Sequence, residues 1–299
     1  MVPNEAIQMV ARCSVLGNRS QPKIHRPRNV DSRKNAARPS MASGAPNRLI
    51  SARELAAQLH DPGWRIFDCR HDLANPAFGE LAHAQSHIPG ARFLHLDRDL
   101  SGEKTGRNGR HPLPERSAFA AMLGALGVDR TNQVVAYDDA GGMFAARLWW
   151  MLRWLGHRKV AVLDGGLQAW QSAGMAVSQK IAQVGPTCLM PRQGALPVDA
   201  NEVAAHLGKP DSILIDARGP DRFRGEHEVL APVGGHIPGA RNRFFRDNLG
   251  ADLRFKSPEA SRADFSALVG AIDPAAVIHQ CGSGVTACHN ILAMEIAGL

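Results

Sequence analysis

Cys281 stands in the stretch IHQCGSGVTACHN, residues 278 to 290, where an apolar run ends in the cysteine, glycines and hydroxyls follow, and a helix-like segment begins. A thiol reacts as its thiolate, and helix N-termini and nearby cations favour that form. Glycines at 282 and 284 let backbone N–H groups converge on one point just before the helix, which makes an anion nest. The pattern fits a thiolate poised for covalent chemistry, and equally a cradle for the negative group of a ligand. The alternative is an inert buried thiol, and that reading suits Cys13, Cys69 and Cys188, none of which precedes a glycine-rich loop. Cys288 lies seven residues beyond Cys281, two helical turns into the next segment, and reads as a packing thiol.

Two other chemistries fail on residue type. A zinc site from His279, Cys281, Cys288 and His289 lacks the close cysteine pairing such sites use, so no metal is expected. A phosphatase loop of the C-x5-R kind needs an arginine six residues after the cysteine, and that position is Ala287.

The elements that would position Cys281 occur twice. RIFDCR (65 to 70) corresponds to ILIDAR (213 to 218), HIPGARF (87 to 93) to HIPGARN (236 to 242), and VVAYDDAGGMFAAR (134 to 147) to VIHQCGSGVTACHN (277 to 290), at offsets of 148, 149 and 143. Asp138 falls opposite Cys281, so the first copy lacks the thiol. In each copy, runs rich in Ile and Val alternate with amphipathic segments such as SARELAAQLH and NEVAAHLG. That alternation predicts an α/β fold of two domains, each a parallel sheet flanked by helices. The expected organisation is a disordered basic leader over 1–46, a non-catalytic domain over 47–174, a proline-bearing linker over 175–197 and a catalytic domain over 198–299.

Charge and composition exclude other classes. The net charge of +7 comes from residues 1–48, which hold nine Lys/Arg against two Asp/Glu and leave 26 of each in the remainder. A neutral body is a poor phosphate-tracking surface, so nucleic-acid binding is not expected. No stretch is long and apolar enough to span a membrane, and five scattered cysteines indicate reduced thiols in a cytoplasmic setting. The leader is Arg-rich and acid-poor; it reads as an extension without folded structure, or as a mitochondrial targeting segment that would place the protein in the matrix.

Taken in order, HIPGAR twice, LDGGLQAW (163 to 170), DARGPDRFRGE (216 to 226) and CGSGVTA resemble the tandem-domain rhodanese family of thiosulfate and 3-mercaptopyruvate sulfurtransferases, from residue 48 onward. The resemblance implies that Cys281 attacks a small anionic sulfur donor, becomes a persulfide and passes the sulfur to a thiol or cyanide acceptor, a thioredoxin-like protein being one such thiol. It implies no cofactor and a monomer. Gly282, Ser283, Gly284, Val285 and Thr286 become the cradle, and the neutral loop is similar to the mercaptopyruvate type. Ser283 matches a serine that works with a histidine and an aspartate, here His111 and Asp97, and Arg222 matches one of two arginines that bind the donor carboxylate. Near the second arginine's place stands Val229, with Arg224 or Arg241 as possible substitutes. Asp68 with Arg70, and Asp216 with Arg218, read as structural pairs.

The repeat also predicts that the second domain lacks its last strand and helix, because the counterpart of Asp164 falls beyond Leu299. A sulfur-carrier or binding module of low turnover is the resulting alternative function.

Overall fold

Short strands of two to five residues, most of them apolar, form two sheets in the protein's structure, a computed structural model that describes residues 8–12, 48–106, 108–230 and 233–299. Strand β1 (Gln8–Arg12) comes from the leader. The next five strands, β2 (Leu49–Ile50), β3 (Trp64–Asp68), β4 (Ala91–Phe93), β5 (Gln133–Tyr137) and β6 (Val160–Leu163), form one parallel sheet in the order β2-β6-β5-β3-β4. Its inner strands are buried on both faces, and alternate residues feed two cores. Phe67, Val134 and Ala136 pack with Phe119 and Trp149 on one side, while Ile66, Val135 and Tyr137 pack with Leu55 and Trp170 on the other.

The second sheet contains β7 (Pro197–Val198), β8 (Ile213–Asp216), β9 (Arg241–Asn242) and β10 (Val277–Cys281), in the order β7-β1-β10-β8-β9. Position by position it repeats the first sheet, with β1 where the first sheet has β6. β1 runs antiparallel to both β10 and β7, so this sheet is mixed. One sequence expectation needs correction here, and another is completed. Five residues of the leader read as structureless are a strand, and the slot of the missing last strand is filled. The physical reason is the open ladder edge of β10, whose N–H and C=O groups any extended segment within reach can pair. Residues 1–7 and 13–47, with Cys13 and the targeting reading, lie outside the described residues.

The two domains share one interior. The helix Ala145–Trp154 of the first packs on the helix Thr286–Ile296 of the second, and Val285, Cys288, Ile291 and Leu292 join the core built around Trp149 and Trp150. Glu295, 3% exposed, accepts from Arg48 at 3.0 Å and Arg153 at 2.7 Å across this contact. The linker lies along the first domain, where Thr187 N–H donates to Gly124 O and Arg192 N–H to Leu155 O. No helix among the described residues is long and apolar enough to cross a membrane.

Candidate active site

Cys281 ends β10 at the loop-bearing edge of the sheet and is 2% exposed. The chain turns at Gly284, whose φ of 73° is a left-handed conformation that favours glycine, and Thr286 begins the following helix. The turn brings the Gly284 N–H to 3.1 Å from the Cys281 sulfur. Domain one shows what the same turn does for an anion. Asp138 occupies the equivalent place, and its carboxylate accepts from the N–H groups of Ala140, Gly142, Phe144 and Ala145 at 2.7 to 2.9 Å. The loop is thus an anion nest in both copies, filled by a carboxylate in one and headed by a thiol in the other.

A cavity of about 250 Å³ opens over Cys281, lined among others by Gly282, Ser283, Val285, Thr286, Arg110, Arg218 and Arg222. Gly282 lets two arginines come close to the loop. A Cβ there would lie 2.8 Å from Nη2 of Arg110 and 3.3 Å from Nη2 of Arg222. Arg218 also pairs with Asp216 at 2.7 Å, as Arg70 pairs with Asp68 at 2.6 Å, so the expected structural pairs form and one of them borders the cavity as well. The substitutes expected for the second arginine are elsewhere. Arg224 is bound to Glu226 at 2.7 Å on the surface, and Arg241 donates to the Leu268 carbonyl. Arg110, from the other domain, takes the place beside Arg222.

Of the expected serine, histidine and aspartate, the structure brings two together. Nε2 of His111 is 3.5 Å from Oδ1 of Asp97, which also holds Nζ of Lys104 at 2.8 Å. Ser283 lines the cavity, but no hydrogen bond joins it to His111 among the described residues. Burial outweighs the nearby Asp97 and pushes the His111 pKa down to about 3, so the ring is neutral near pH 7. Ligating atoms of Asp97, His71 and His95 lie within 4.8 Å of one another. Two of the three are already engaged: Nδ1 of His95 accepts from the Asp97 and Arg98 amides, its Nε2 meets the Pro76 carbonyl, and Asp97 carries Lys104. That cluster is a hydrogen-bonded support. Cys288 and Cys69 suit packing, since burial pushes the first up to about 12 and holds the second well above the usual thiol range, whereas Cys188, read as a buried thiol, is exposed on the linker.

Sequence reasoning missed three residues that shape this site. Arg110 is next to His111 in GRHPLP, so the motif was visible while its neighbour does the reaching. Arg147 is fully buried and spans the domains, donating to the Gly284 carbonyl at 3.3 Å and to those of Leu100 and His111 at 3.0 Å. Its signal was a lone cation in the apolar run FAARLWW. Glu228, six residues after Arg222 and beyond the Gly225 turn, accepts from Nε of Arg222 at 3.1 Å and from its Nη2 at 2.9 Å.

A tandem α/β protein with one cradled cysteine, one acidic counterpart and a cluster of arginines at the cavity has the parts of a thiol site open to an anionic ligand. Residues 51–173 and 199–297 each match the rhodanese-like domain, and the chain belongs to that family. It is 47% identical over 253 residues to a probable 3-mercaptopyruvate sulfurtransferase of Pseudomonas aeruginosa, covering 84% of this chain and 89% of that one. It is 32% identical over 263 residues to the thiosulfate sulfurtransferase of Bos taurus, covering 84% and 86%. Among solved structures, the 3-mercaptopyruvate sulfurtransferase from Leishmania major superposes with a TM-score of 0.72 at 29% identity, covering 86% of this chain and 71% of that one. The Escherichia coli SseA enzyme superposes with a TM-score of 0.70 at 29% identity, covering 83% and 94%. The protein is a sulfurtransferase.

Proposed function

We propose that Cys281 carries the sulfur, taking it from 3-mercaptopyruvate or thiosulfate and handing it to a small thiol, cyanide or a protein thiol. The observation that carries this reading is the placement of Cys281 sulfur at 3.1 Å from the Gly284 N–H beneath a cavity bordered by Arg110, Arg218 and Arg222. The Gly284 N–H donates to the attacking sulfur and then to the persulfide, and the guanidinium groups hold the donor's negative end. With thiosulfate, the thiolate attacks the outer sulfur, the S–S bond breaks and sulfite leaves with the electron pair. With 3-mercaptopyruvate the C–S bond breaks, and the carbon takes up a proton as pyruvate leaves. Ser283, in the cavity lining, is the hydroxyl assigned to that proton. His111 and Asp97 act as positioning residues that hold the segment bearing Arg110. The acceptor's thiolate or cyanide then attacks the outer sulfur and returns Cys281 to its starting state.

The test is mass spectrometry after incubation with each donor. The peptide containing Cys281 gains about 32 Da, one sulfur atom, and loses it on adding cyanide. Cys281→Ser shows no gain and no transfer. Full transfer by that variant removes Cys281 from the reaction.

A further inference from the structure

Arg218 and Arg222 at the cavity are each matched by a buried carboxylate that does not itself line it. Asp216 holds Arg218, and Glu228 holds Arg222. The first pair has a counterpart in the other domain, Asp68 with Arg70, and is part of the repeated fold. The second pair belongs to the loop that follows the helix Pro220–Arg224. The Glu228 side chain is only 4% exposed, while Arg222 is 21% exposed. Glu228 accepts from Nε and Nη2 of Arg222 through both oxygens, takes the Leu230 N–H at 2.9 Å, and lies 3.5 Å from Nη1 of Arg218. The Nε/Nη2 edge is one of the two edges by which a guanidinium grips a carboxylate with paired hydrogen bonds.

We propose that Glu228 is a specificity-determining residue: a resident carboxylate that occupies the paired edge of Arg222 and weakens binding of carboxylate donors relative to thiosulfate. This inference rests on the sulfur-transfer reading above. A donor carboxylate meets an arginine whose Nε/Nη2 edge is already filled, and it also meets the negative charge of Glu228 in a partly desolvated setting. Displacing Glu228 would take its paired guanidinium from a buried carboxylate, which is costly. The sulfonate end of thiosulfate does not need a coplanar fork, because its three oxygens can be gripped singly by Arg110 and by the outer face of Arg222.

The test compares Glu228→Gln and Glu228→Asp with the unaltered protein, measuring KM and kcat for 3-mercaptopyruvate and for thiosulfate with cyanide as acceptor. Glutamine keeps the shape and the acceptor for Leu230 N–H while removing the charge. The KM for 3-mercaptopyruvate is expected to fall about tenfold relative to the KM for thiosulfate, the factor that corresponds to roughly 1.4 kcal/mol. Aspartate keeps the charge, and its KM ratio stays within about twofold of the unaltered value. A purely structural role predicts instead that both variants raise both KM values together, and that result, or an unchanged ratio, overturns the proposal. Inhibition of the unaltered protein gives a reading that needs no variant to fold. Pyruvate should inhibit thiosulfate:cyanide transfer less than sulfate does at matched ionic strength, and equal or stronger inhibition by pyruvate overturns the proposal. A protein that transfers sulfur from neither donor overturns the sulfur-transfer reading as well, whereas transfer with an unmoved ratio overturns only the role of Glu228.

Discussion

Asp138 and Cys281 sit at the same point of the same turn, and the difference between a carboxylate and a thiol divides the labour between the domains. The carboxylate fills its own nest with four backbone N–H groups, whereas the sulfur is larger, less charged and able to form a second sulfur bond. Around this point the protein buries histidines in neutral form. Burial pushes His279 down to about 3 and His289 to about 4, as it does His111 to about 3. In the unfolded chain each titrates near 6.5. Folded pKa values below unfolded ones mean that acid protonates the unfolded state first, so stability is present above pH 6.5 and is lost as pH falls toward 4. Each histidine withdraws about 2 kcal/mol by pH 5. Burial lowers His71 and His157 as well, while Asp139, raised to about 6 by burial and the adjacent Asp138, acts in the opposite direction with Asp138 and Asp164, which burial also raises. The melting temperature is therefore expected to drop by several degrees between pH 7 and pH 5. A flat profile over that interval would show that these rings are not held neutral.

At the scale of elements, β1 is the feature that parallel α/β logic does not anticipate. Its partners are Val198 of β7 on one side and Ile278, His279 and Cys281 of β10 on the other, so it flanks the strand that carries Cys281. Removing it leaves the ladder groups of β10 and β7 without partners, at about 1–3 kcal/mol for each one that stays buried. Against a typical total of about 5–15 kcal/mol, two or three such groups are decisive. A protein lacking residues 1–12 is expected to melt on the order of 5 °C lower or more and to transfer sulfur more slowly, because β10 then frays toward Cys281. Melting and turnover measured side by side check this, and identical values for the two proteins would mean that β1 contributes no stability.

At the scale of the molecule, the cavity exists only where the domains meet. Arg110 and Arg147 come from the first domain, and the loop they contact comes from the second. The fixed distance between them depends on the packed helices Ala145–Trp154 and Thr286–Ile296 and on Glu295 held by two arginines. Glu295→Ala leaves Arg153 in a largely buried place without its carboxylate, a change worth about 3 kcal/mol, discounted for the more exposed Arg48. The variant should melt several degrees lower and lose turnover as the cleft loosens. Unchanged melting would place the domain contact in the apolar core alone.

The sequence by itself determined the two-domain α/β plan and the cysteine that heads the loop at the cavity, because both are local. Alternating Ile- and Val-rich runs dictate strands, and a cysteine followed by Gly282 and Gly284 dictates an N–H nest, whatever lies elsewhere in the chain. Ser283 and Arg222 could be placed for the same reason, since each lies a few residues from a fixed turn. Only the tertiary structure decided which arginine joins Arg222, because Arg110 is 112 positions from it and arrives by domain packing. The same holds for β1, where an open ladder edge selects a partner by reach and hydrogen bonding with no motif to announce it. Glu228 is intermediate. It is near Arg222 in sequence, but whether the turn at Gly225 points its carboxylate at the guanidinium or into solvent depends on the packing of the whole loop against the cavity.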